Sequence, residues 1–90
     1  SSYPILYQFK TKINFDKNKL NNILNELLKL EHENIEKIDG LKLWFNSNTW
    51  VLIRSSGTEP AIRIFAESND QNYLNEVCST CITIISEFLD

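Results

Sequence analysis

Residues 41–68, LKLWFNSNTWVLIRSSGTEPAIRIFAES, hold three runs of strand-forming residues joined by two polar links. In the first run Leu41, Leu43 and Phe45 alternate with Lys42 and Trp44, the two-residue period of a strand with one buried face. Asn46-Ser47-Asn48-Thr49 is turn chemistry, because short polar side chains hydrogen-bond the neighbouring backbone. Trp50-Val51-Leu52-Ile53 is rich in the β-branched and aromatic residues that fit a pleated surface. Past the second link, Ile62, Ile64 and Ala66 alternate with Arg63, Phe65 and Glu67, giving a third strand. Asp39-Gly40 makes a bend ahead of the first. Three consecutive strands with short links predict an antiparallel sheet.

The flanks complete the pattern. From Tyr3 to Phe15 the odd positions are Tyr3, Ile5, Tyr7, Phe9, Thr11, Ile13 and Phe15, again a strand with one buried face. Pro4 near its start points to an edge position. Asp16 then reads as an N-cap, its carboxylate accepting from the first free amides of a helix. Phe15 and Leu20 have the spacing of a hydrophobic staple. The helix face runs Leu20, Ile23, Leu24, Leu27, Leu28 and fades between Leu30 and Glu33. Ser68 to Asp70 offers caps for a second helix with the face Leu74, Val77, Cys78, Cys81, Ile85 and Phe88. The expected order is β-α-β-β-β-α: an α+β domain with a four-stranded, mainly antiparallel sheet and two helices on one face. The other sheet face is left available for contact.

Composition narrows the function classes. Ninety residues, 42% hydrophobic and 23% charged, suit one small ordered domain. No apolar run approaches the ~20 residues of a membrane span, so no membrane partner is expected. Net charge is −3 and the seven lysines scatter over positions 10 to 42, which disfavours nucleic acid as a partner. The Ser1-Ser2 start and the absence of methionine suggest an excised piece of a longer chain. Cys78 and Cys81 form a CxxC, but their helical periodicity places them mid-helix rather than at a redox turn. Buried, inert thiols in a reducing cytoplasm are the expectation.

The link Arg54-Ser55-Ser56-Gly57-Thr58-Glu59-Pro60-Ala61-Ile62-Arg63 carries both arginines of the chain. Small residues let backbone amides turn toward one point, and Gly57 has the freedom for positive φ that an anion nest requires. Ser56 and Thr58 add hydroxyl donors. Arg54 and Arg63 supply forks suited to phosphate oxygens. A Ser/Gly turn with two solvated arginines uses the same residues, and the physical pattern alone leaves both readings open. No base accompanies the serines, so binding rather than covalent catalysis is expected here.

With these residues in view, RSSGTEPAIRIFAES resembles the signature loop of the C-terminal domain of the α-D-phosphohexomutases. That pattern is an Arg, a small residue or Pro, Ser-Gly-Thr-Glu-Pro, a second Arg shortly after, and a strand ending in Glu. The lead-in DGLKLWFNSNTWVLIR is similar as well, so the likeness covers roughly positions 38 to 68. Ser55 departs from it, Pro being the commoner residue there. The resemblance implies a TATA-box-binding-protein-like fold and a larger mutase of which residues 1–90 are the last domain. It implies that Arg54, Ser56, Gly57 and Thr58 hold the non-reacting phosphate of a phosphosugar, with Arg63 assisting and Glu59 bracing the loop. It places phosphoserine and Mg²⁺ in earlier domains, leaving this chain with no catalytic residue and no metal ligand. The competing expectation is a stand-alone binding module that uses the open sheet face for a protein partner.

Elsewhere, Trp44 and Trp50 are read as packing residues rather than a sugar platform. His32 is expected to be exposed beyond a helix end. Glu31, Glu33 and Glu36 are read as a solvated cluster, lacking the spacing of a cation loop.

Overall fold

In the computed structural model, which describes residues 5–37 and 39–89, period-two alternation over residues 7–14 becomes strand β1 (Tyr7–Asn14). Tyr7, Phe9, Thr11 and Ile13 turn toward the core, and the residues between them are exposed. The strand begins later than its sequence pattern. Tyr7 pairs with Ser68, the last residue of its neighbour strand, so nothing remains for earlier residues to pair with. Ile5, expected on the buried face, is 67% exposed, and Tyr3 and Pro4 lie outside the described residues.

Asp16 caps the next segment, accepting a 2.9 Å hydrogen bond from the Asn18 amide. The first turn is a 3-10 turn, Lys17–Lys19, and α1 follows as Leu20–Leu27. Its apolar stripe buries Ile23 and Leu27 completely, each worth roughly 1.5–3 kcal/mol over leaving it in water. Phe15 is buried and Leu20 packs against the same core, as a staple would have them.

Next comes β2 (Asn34–Glu36), which pairs antiparallel with β3 (Leu41–Asn46). The sheet therefore has five strands, and the four-strand expectation is corrected. Three residues with a single apolar member, Ile35, are too few to show a period of two. β4 (Thr49–Ser55) and β5 (Ala61–Ser68) complete the sheet in the order β1-β5-β4-β3-β2, every neighbouring pair antiparallel. The turn between β3 and β4 is stabilised by Asn46, whose side chain accepts from the Asn48 amide at 2.8 Å. The strand beside it bulges between Trp44 and Asn46.

Ahead of β3 the bend has a strict requirement. Asp39 takes φ 56° and Gly40 takes φ 146°, values that favour residues without a bulky Cβ. A Cβ on Gly40 would stand 2.5 Å from the Ile53 carbonyl oxygen and 2.7 Å from Arg54 Cβ.

Helix α2 (Gln71–Ser86) is capped by Asp70, which accepts from the Tyr73 amide at 3.1 Å. It buries Leu74, Val77, Cys78, Cys81 and Ile85, with Phe88 half-buried beyond its end. These residues join Ile23 and Leu27 of α1 over one sheet face, built from Leu41, Leu43, Val51, Ile53, Ile62, Ile64 and Ala66. Thr49 and Ser68 share a buried hydroxyl–hydroxyl hydrogen bond of 2.7 Å, and Ser68 Oγ also accepts from the Asp70 amide. The start of β4 and the cap of α2 are thereby tied together. Among the described residues, no helix is long and apolar enough to cross a membrane.

Candidate functional site

The sheet face away from the helices carries the candidate site at one end. Arg63 of β5 lies directly opposite Lys12 of β1 on one side and Arg54 of β4 on the other. Directly paired residues of antiparallel strands project to the same side, so three cations stand in one row. Like charges so placed repel one another, and one carboxylate relieves them. Glu59 offers its two oxygens to Lys12 Nζ at 3.0 and 3.2 Å. Among the described residues Arg54 and Arg63 have no carboxylate partner; Arg54 sits 5.8 Å from the centre of the Phe65 ring, an aromatic support for the guanidinium. Among the described residues, this row leaves Arg54 and Arg63 without a carboxylate, on the strands that lead into and out of the loop.

The loop, residues 56–60, is anchored at both ends. The Ser56 amide donates to the Ala61 carbonyl at 2.8 Å, and the Ala61 amide donates to the Glu59 carbonyl at 2.8 Å. The Phe15 amide donates to the Pro60 carbonyl at 2.8 Å, tying the loop to the end of β1. The amides of Gly57 and Thr58 are not used by the hydrogen bonds of the fold among the described residues, and both residues are exposed.

These details revise part of the expected anion nest. The Ser56 amide is spent on the hairpin closure, and Ser56 is only 6% exposed. Gly57 does not adopt positive φ, and a Cβ built on it would meet nothing within 4 Å. The fold itself makes no demand for glycine here; the demand falls on Gly40. Strand pairing sets Arg54 beside Arg63, Gly57 and Thr58 are exposed in the loop between them, and Ser56 is buried at its base. Reading the sequence did not single out Lys12 for this site. Its outward place in the alternation of β1 was visible, but only the strand register sets it beside Arg63.

The remaining candidates lie elsewhere. Trp44 and Trp50 form a cross-strand pair on the same open face, their rings 6.5 Å apart and tilted by 57°. Lys42 Nζ stands over both, at 4.7 and 4.3 Å, and the Trp44 indole donates to Glu36 at 3.0 Å. The two tryptophans thus pack against each other and Lys42 on the open face, not in the core. His32, expected to be exposed, is half-buried, with Nδ1 2.6 Å from the Leu30 carbonyl oxygen. Among the described residues no group of three or more His, Cys, Asp or Glu side chains is arranged to hold a metal ion. Burial pushes the Cys78 thiol up from its ordinary value and, helped by its neighbour Cys78, pushes Cys81 up to about 12. Both are free thiols in the core, poor nucleophiles at neutral pH.

With its two-helix, five-stranded antiparallel architecture, the domain fits the TATA-box-binding-protein-like type. Residues 12–82 match the family model described as phosphoglucomutase/phosphomannomutase, C-terminal domain. The chain belongs to that family. It is 39% identical over 79 residues to a probable phosphoglucosamine mutase of Methanosphaera stadtmanae, covering 84% of this chain and 18% of that protein. It is 38% identical over 88 residues to a phosphoglucomutase/phosphomannomutase of Thermococcus kodakarensis, covering 96% and 19%. A phosphoglucosamine/phosphogalactosamine mutase of Sulfurisphaera tokodaii is 34% identical over 86 residues, covering 91% and 19%. The chain spans less than a fifth of the length of these curated relatives.

Proposed function

We propose that this chain is the substrate phosphate-binding domain of a phosphohexomutase. Such an enzyme interconverts hexose 1-phosphate and hexose 6-phosphate by intramolecular phosphoryl transfer. The observation that carries the proposal is the Lys12–Arg63–Arg54 row, whose arginines lack a carboxylate among the described residues, on the strands that enter and leave a loop in which the Gly57 and Thr58 amides are unused. A phosphate monoester dianion matches that charge, and arginine forks suit its oxygens. In this reading Arg54 and Arg63 grip the phosphate, Gly57 and Thr58 donate from backbone and hydroxyl, and Ser56 shapes the base of the loop. Glycine at position 57 keeps the approach to the two amides clear of a side chain.

The domain binds and orients; it does not perform the transfer. Phosphoserine and Mg²⁺ would belong to other domains of the longer protein, the first carrying the phosphoryl group and the second neutralising charge on it. During turnover the sugar passes through a bisphosphorylated form and reorients, so each phosphate occupies this loop in turn. The ligand is a small phosphosugar rather than a nucleic acid, because the net charge is −3 and the loop's positive charge is confined to one row. The relatives named phosphoglucosamine mutase and phosphoglucomutase/phosphomannomutase support a hexose phosphate of one of those kinds, in the cytoplasm where such metabolites occur.

Titration of the chain with glucosamine 1-phosphate, followed by amide resonances, tests the reading. Gly57 and Thr58 are expected to shift the most. A saturable shift confined to the Trp44–Trp50 region would place the ligand elsewhere and overturn it.

A further inference from the structure

We propose that Lys12 is a positioning residue of the phosphate loop, acting through Glu59; the proposal rests on the phosphate-binding reading of that loop. Lys12 shares a row with Arg63 and Arg54, yet its charge is directed differently. Its ammonium is held at 3.0 and 3.2 Å by the two oxygens of Glu59, while the arginines are left without a carboxylate among the described residues. Glu59 is also part of the hairpin closure, since its carbonyl accepts from the Ala61 amide. The next loop residue, Pro60, accepts from the Phe15 amide just past the end of β1. The end of β1 therefore grips two successive loop residues, one by charge and one through the backbone.

Two consequences follow for an anion in the loop. The grip holds Gly57 and Thr58 in place before the ligand arrives, which lowers the ordering cost of binding. The ammonium also neutralises the one carboxylate that the loop would otherwise turn toward a phosphate. Both effects run through Glu59, so Lys12 need not touch the ligand.

A double-mutant cycle on this chain, titrated with inorganic phosphate and read at the Gly57 and Thr58 amides, tests the proposal. Lys12→Met is expected to weaken phosphate binding about two- to fivefold, the scale of an exposed ion pair. In an Glu59→Gln background the same substitution should change affinity by less than about 1.5-fold, since its target is gone. The exchanged pair Lys12→Glu with Glu59→Lys should bind within about twofold of the parent chain or more tightly, which a merely structural lysine would not allow. An equal loss in both backgrounds would show that Lys12 meets the anion itself and would overturn the proposal, as would an unchanged affinity in Lys12→Met. Arg54→Ala separates the two readings. If it weakens binding and Lys12→Met does not, the positioning role alone fails. If Arg54→Ala also leaves binding intact, the phosphate site fails and takes this proposal with it.

Discussion

Gly40 lies against the backbone of Arg54, so close that a Cβ on it would come within 2.7 Å of Arg54 Cβ and 2.5 Å of the Ile53 carbonyl oxygen. The bend ahead of β3 therefore sets how near that strand's start can approach the arginine at the end of β4. Gly40→Ala combines a φ of 146° with this overlap. It is expected to destabilise the domain by at least ~2 kcal/mol, from strained backbone and forced displacement together. Urea denaturation would show a lower midpoint; an unchanged midpoint would mean that the bend relaxes freely.

Gly57 should behave in the opposite way. Open space surrounds the place where its Cβ would be, and its φ is one that alanine adopts. Gly57→Ala should leave stability within ~0.5 kcal/mol, as for a surface change away from special features. On the phosphate-site reading, affinity should fall, because the added methyl takes up open space beside the unused Gly57 and Thr58 amides. Parallel denaturation and phosphate titration would separate the effects, and a variant that binds as well as the parent chain would remove Gly57 from the site.

Arg54→Ala should cost about 1.5–3 kcal/mol of phosphate binding, the usual size of a hydrogen bond to a charged group. Arg54 is exposed and lacks a carboxylate partner among the described residues, so folding should hardly change. Calorimetry with a sugar phosphate would reveal the loss as a right-shifted isotherm at an unchanged melting temperature.

The cysteine pair predicts a pH dependence. Folding raises the Cys81 value from 9.0 to about 12, so the native state keeps a proton that the unfolded chain releases. Its contribution to stability is full below pH 9 and declines as the pH rises toward 12, by up to about 1.4 kcal/mol per pH unit. Cys81→Ala should flatten that part of the curve of unfolding free energy against pH. At neutral pH an alkylating reagent should label neither thiol until denaturant is added; rapid labelling of the native chain would contradict the burial of both.

Much of this fold was visible in the residues because its long elements carry strong periodicity. β1, β3, β5 and both helix faces appear as alternation or as a 3.6-residue stripe, and Asp16 and Asp70 cap where capping chemistry places them. β2 escaped because its three residues acquire strand character only through Leu43 and its neighbours. The loop motif was equally plain, but its internal economy was not. That the Ser56 amide closes the hairpin onto Ala61 depends on the register of β4 with β5, and that Lys12 joins Arg63 and Arg54 depends on pairing between segments about fifty residues apart.

The position of β1 at the sheet edge, paired with β5 from Tyr7↔Ser68 to Asn14↔Ala61, makes the loop a joint product of the chain's first strand and its last. A peptide copying residues 54–63 would hold every letter of the motif and lack the brace that shapes it. Because closing so large a loop is slow and entropically costly, the brace should be among the later contacts to form during folding. A shortened domain lacking the first fourteen residues would lose the ligand site before losing the signature by which it is recognised.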